Sequence, residues 1–182
     1  SMLVEMNPSF QVRRTWETIG LTNTDLQSGT ILDNGNAVLV SYEKNAATGL
    51  TDGIVQEQTP AGKVVFQWNT SALAGQTMLD SSWDDYAHVD SVQRSRDGKD
   101  FIVTLRHLSS VVRVARVAHD GFTVGDIVWQ LGGRKSDFTF VNDPYPAGPC
   151  AASEATELPS GNILIYDTGS MVEPTSPTMC VN

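Results

Sequence analysis

Three short apolar runs, at 37–40, 101–103 and 163–166, each follow a turn that ends in glycine: Asp33-Asn34-Gly35, Asp97-Gly98 and Ser160-Gly161. Each reads as a β-strand leaving a tight turn. The three glycines lie at a constant interval of 63 residues. A second marker keeps the same interval: Gly62-Lys63-Val64-Val65-Phe66-Gln67-Trp68 returns as Gly125-Asp126-Ile127-Val128-Trp129-Gln130-Leu131. Two markers in one register predict duplicated units of several strands. A unit of this kind cannot bury both faces of its sheet alone and must stack on its neighbours, which points to a β-propeller ahead of a solenoid.

The pattern predicts hairpins over 26–43 and 53–68, and again over 88–106 and through 111–118 and 125–131, while the periodicity from Phe10 to Gly20 is too weak to decide for a strand. Two long loops interrupt them. The stretch from Ala72 to Tyr86 is acidic around Trp83, and Gly132 to Pro149 is rich in Gly, Pro and Asp. Loops of this length on a β scaffold carry binding groups. The second glycine of a third unit would fall beyond Asn182, so about three blades are expected. Residues 1–182 then read as part of one propeller domain, completed by a second segment or an oligomer partner, because a ring this short leaves open sheet edges.

Composition narrows the function classes. A 40% apolar content fits an ordinary globular chain, and 21 acidic against 12 basic residues give a net charge of −9, which disfavours a nucleic-acid partner. No apolar stretch approaches the ~20 residues of a membrane span. Cys150 and Cys180 are the two cysteines, both in loop-like sequence. Their pairing as a disulfide is expected, and with it a secreted or periplasmic location.

One succession of motifs goes further. It runs Asp85-Tyr86-Ala87-His88-Val89-Asp90-Ser91-Val92, then Val103-Thr104-Leu105-Arg106-His107, then Gly125 to Gly133 with Trp129 and Leu131, then Ser136-Asp137-Phe138. This resembles the bacterial and fungal arylsulfotransferase family, with its D-x-x-H-x-N-S-[IV], S-x-R-H and G-x-[IV]-x-W-x-L-G-G motifs. The resemblance implies a six-bladed propeller that moves a sulfuryl group between phenols at its central channel through a histidine, without a cofactor. It also implies that His88 and Arg106 bind the sulfuryl oxygens, since charge spread over peripheral oxygens calls for fixed cationic donors.

The chain departs from the family at two places. Gly148-Pro149-Cys150-Ala151-Ala152-Ser153-Glu154-Ala155 aligns with G-P-x-x-Q-H-x-A, so Ser153 takes the catalytic position of the nucleophilic histidine. A hydroxyl without an activating base is a poor nucleophile. Asp90 replaces the motif asparagine and adds negative charge. Two readings follow: an arylsulfotransferase-like enzyme acting on an aromatic or phenolic small molecule, with sulfuryl-transfer machinery altered or turned to another reaction, or a non-catalytic ligand-binding or scaffold propeller.

Trp83 and Tyr86, ahead of His88, are candidates to stack on the aromatic ligand beside Asp90. Trp68 and Trp129 read as packing residues. His107, one residue beyond Arg106, is expected on the opposite strand face in a structural role, and His119 in a solvated loop. Asp80, Asp84, Asp85 and Asp90 lack the spacing of a calcium loop, and no Cys/His metal spacing is present, so no metal is expected.

Overall fold

A computed structural model of the chain describes residues 1–25, 27–76, 84–142 and 148–169. The fold is nearly all β, in four antiparallel sheets. Strands β1 (Leu3–Met6) and β2 (Val12–Trp16) form a ribbon, which decides the segment from Phe10 to Gly20 that its periodicity left open. A four-stranded meander follows: β3 (Gly29–Ile31), β4 (Ala37–Lys44), β5 (Thr51–Gln58) and β6 (Val64–Asn69). A second meander repeats it with β7 (Val89–Arg94), β8 (Asp100–Leu105), β9 (Ser110–Ala115) and β10 (Ile127–Gly132). A third unit contributes the pair β11 (Glu154–Glu157) and β12 (Ile163–Tyr166).

The 63-residue interval is the interval between these sheets. Gly35, Gly98 and Gly161 close the turn between the first and second strands of successive sheets, with φ of 82°, 73° and 84°. Their amides donate to the carbonyls of Leu32, Ser95 and Leu158 at 2.8, 2.9 and 2.9 Å. Gly62 and Gly125 likewise sit in the turns before β6 and β10, at φ of 75° and 90°. A Cβ added at Gly161 would meet nothing within 4 Å, so Gly161→Ala isolates the cost of the left-handed conformation. Urea unfolding should report a loss of about 1–2 kcal/mol.

The continuous apolar runs exist because the middle strands are covered on both faces. In β4, Val38 and Val40 join a core shared by the two meanders, whereas Ala37 and Leu39 pack with Trp16 and Leu3 of the ribbon. In β8, Phe101, Val103 and Leu105 face that same shared core, and Ile102 turns to Ala155, Ile163 and Ile165 of the third unit. Side-chain alternation along each strand thus feeds two different interfaces. The end sheets are covered on one side only: Leu164 and Tyr166 remain 60% and 67% exposed.

Buried ion pairs cross the same interfaces. Arg116, just past β9, reaches Glu57 of β5, and Arg113 of β9 donates to Asp100 at 2.6 Å and lies 3.6 Å from Glu157 of β11. Trp68 is a packing residue in the central core and Trp129 packs at the third unit, as their repeat spacing suggested. Two expectations change. Tyr86 does not present its ring to a ligand; it is fully buried in the core, where its hydroxyl donates to Asp52 at 2.7 Å beside Thr70. His119 is not solvated, because Nε2 lies 2.5 Å from the buried Asp100 carboxylate and Nδ1 3.0 Å from Asp120. Trp83, Asp80 and Cys180 lie outside the described residues.

Candidate functional site

The first strands of the three units converge. Ser28 and Thr30 at β3, Asp90 and Gln93 of β7, and Ser153 and Glu154 at β11 line one cleft of about 250 Å³. The Ser28 hydroxyl donates to the Asp90 carbonyl at 2.8 Å, which ties the first unit to the second at the cleft wall. Asp90 and Ser153, far apart in sequence, therefore share one cavity.

His88 stands immediately before β7 in a left-handed conformation, φ 49°. An L residue with a Cβ holds this conformation only where its surroundings impose it. Asp85 does so here. One carboxylate oxygen accepts the His88 backbone N–H at 3.2 Å, and the other accepts ring Nδ1–H at 2.6 Å. On the far side, His88 Nε2 lies 3.8 Å from Asp90 Oδ1. Arg106 meets the other oxygen of the same carboxylate at 3.3 Å. Its backbone N–H donates to the His88 carbonyl at 2.9 Å, so the two residues face each other across the open end of the β7–β8 hairpin. The expected proximity of His88 and Arg106 is present, and Asp90 sits between them.

The electrostatics follow from this chain of contacts. The hydrogen bond to Asp85 raises His88 above its ordinary value of 6.5, outweighing the opposite push of burial, and the charges of Asp85 and Asp90 add to the rise. His107 moves the other way: burial lowers it, and the neighbouring His88 adds to the shift. Tyr42 is raised by burial and by the nearby carboxylates. Its hydroxyl donates to the Val89 carbonyl at 2.9 Å while its ring stacks on His88 at 5.7 Å.

His107 differs from its sequence reading. The strand stops at Leu105, and residues Arg106–Leu108 form a 3-10 turn, so strand alternation no longer applies. The His107 ring lies 4.7 Å from the His88 ring, centre to centre, and its Nδ1 donates to the Asp85 carbonyl at 2.6 Å. Asp85 and His107 are thus site residues that the motif contains but that were not assigned to the site. The three-residue spacing of Asp85 and His88, which lets a carboxylate reach back over a tight turn, is the signal for the first; the histidine of the S-x-R-H match is the signal for the second.

Ser153 lines the cleft, and its backbone N–H donates to the Tyr166 carbonyl at 3.0 Å. Among the described residues no imidazole or carboxylate accepts its hydroxyl proton. The position lines the cleft, and among the described residues no base stands beside it to make the hydroxyl a nucleophile.

No family model matches the chain, and no curated protein matches it. Among solved structures, a Bacteroides caccae protein of unknown function superposes with a TM-score of 0.52 at 12% identity, over 91% of this chain and 46% of that one. The chain spans about half the length of that neighbour. A virginiamycin B lyase from Staphylococcus aureus gives a TM-score of 0.44 at 16% identity, over 79% of this chain and 34% of that one. The first of these likenesses shows a shared fold and says nothing of activity.

Proposed function

We propose that the chain is part of an arylsulfotransferase-like β-propeller whose cleft binds an aromatic or phenolic small molecule without transferring a sulfuryl group. The observation that carries this reading is the position of Asp90. Its carboxylate lies 3.3 Å from Arg106 and 3.8 Å from His88, the two groups that the family would aim at sulfuryl oxygens, and Asp90 lines the cleft together with Ser153. A sulfate ester would meet Asp90 and Glu154 as like charges, whereas a phenol hydroxyl finds in them hydrogen-bond acceptors. The Ser153 hydroxyl, with no base beside it among the described residues, supports the same reading.

On this reading each four-stranded meander is a blade, and the first strands that line the cleft would face the central channel. Further blades, from another segment or a second copy, would cover the exposed outer faces around Leu164 and Tyr166 at one end and Met6 and Val12 at the other. A Cys150–Cys180 disulfide and export to an oxidising compartment belong to this reading.

The test is a transfer assay with an aryl sulfate donor and a phenol acceptor, run beside calorimetric binding of the phenol. We expect no turnover, with measurable phenol binding that weakens at least tenfold in Asp90→Ala. Turnover that disappears in His88→Ala or Arg106→Ala would replace the binding reading with the enzymatic one. Absence of both binding and turnover would leave a scaffold role.

A further inference from the structure

Asp85, ahead of β7, and His107, in the turn after β8, meet His88 at one point, and one ligating atom from each lies within 4.8 Å of the others. We propose that these three side chains form a binding site for a first-row divalent cation of the zinc type. The inference rests on their own geometry and is independent of the propeller and of the phenol ligand.

Three features support the site. Both imidazoles turn Nδ1 toward Asp85, His88 to the carboxylate and His107 to the main-chain carbonyl, each at 2.6 Å, so both nitrogens converge on one residue. The ring centres are 4.7 Å apart. This is close to the roughly 5 Å between the centres of two imidazoles sharing one ion, and the ring planes lie 27° apart. An imidazole nitrogen and a carboxylate oxygen on one tetrahedral ion are about 3.3 Å apart. The Asp85–His88 contact therefore needs to open by well under an ångström.

The donor set selects the ion. Two imidazoles and one carboxylate suit zinc, cobalt or nickel, whereas calcium and magnesium require mostly oxygen ligands. Coordination replaces the ring N–H bonds to Asp85 with bonds from the nitrogens and the carboxylate to the ion. The displaced protons pass to the other ring nitrogen or to solvent. Three protein ligands leave at least one coordination position open, on a partly exposed wall formed by His88 and Asp85. His88 precedes β7 and His107 follows β8, side by side at the open end of the hairpin but 19 residues apart, which is why no metal-binding spacing appears in the linear sequence.

The experiment titrates chelator-treated protein with Co²⁺, read by its visible absorption, and with Zn²⁺, read by calorimetry. We expect one ion per chain, and a loss of affinity of tenfold or more in each of His88→Gln, His107→Gln and Asp85→Asn. His119→Gln, on the separate Asp100 pair, should bind as the parent does. If His88→Gln and His107→Gln keep the parent affinity, the site holds an adventitious ion only and the proposal fails. Should a variant lose its fold by circular dichroism, imidazole NMR of the unaltered protein decides. Zn²⁺ must shift the His88 and His107 ring signals while leaving His119 in place, and a shift confined to His119 overturns the assignment.

Discussion

Arg116→Ala should lower the unfolding free energy by about 3–5 kcal/mol, because it strands a carboxylate inside the protein. The Glu57 side chain is fully buried between the two four-stranded sheets. Arg116 meets it with two hydrogen bonds, from Nε at 2.5 Å and Nη2 at 2.7 Å, and Asn36 adds a third at 2.6 Å. Burial alone would raise the carboxyl, yet the hydrogen bonds of Arg116 and Asn36 hold it below its ordinary value of 4.5. Its contribution to stability is therefore present above 4.5 and is lost as pH falls through the lower folded value.

In the variant the sign reverses. Glu57 without its cation is raised by burial, so its penalty is relieved as acid protonates it, and the gap between the parent and the variant should narrow as pH falls. Urea unfolding of both proteins across the acid range measures this. A loss below about 1 kcal/mol that does not change with pH would show that the pair contributes no more than an exposed one. Glu57→Gln should cost less than Arg116→Ala, since it leaves behind a guanidinium that is still partly exposed.

Gly133→Ala is the second large effect, and it reaches the site. A Cβ here would stand 2.2 Å from the Ser110 hydroxyl and 2.6 Å from the Leu108 carbonyl, at a φ of 72°. The left-handed conformation costs about 1–2 kcal/mol for an L residue, and the clash in a packed interior adds about 1–3 kcal/mol. Because Leu108 ends the 3-10 turn that holds Arg106 and His107, the strain is passed to the site. The expected result is a loss of about 2–5 kcal/mol in urea, with altered ring signals of His88 and His107 by NMR. Gly161→Ala, with its open surroundings, should leave those signals unchanged. A Gly133→Ala protein with parent stability and unmoved signals would mean that the Gly-Gly turn does not hold the site in place.

The glycine interval was readable because it is local and repeated. Each turn needs a residue at positive φ, each following strand needs a β-rich run, and both requirements are written within a few residues of Gly35, Gly98 and Gly161. The closeness of His88 to Arg106 was legible for the same reason, since they stand at the two strand ends of one hairpin, whereas Asp85 was passed over although its three-residue spacing from His88 is equally local. Tyr86 was misread because an aromatic residue in an acidic loop looks the same whether it faces a ligand or the core. Only the packing of one meander against the other decides that it is covered.

The sequence by itself therefore determined the strands of the two meanders, their order and the duplication of the unit, all of which follow from turn chemistry and from side-chain alternation over short distances. The tertiary structure decided which residues of different units meet. Asp90 and Ser153 share a cleft, Glu57 is buried against Arg116, and His107 lies beside His88, because sheets covered on both faces must stack. Stacking brings together positions tens of residues apart whose proximity no local pattern encodes.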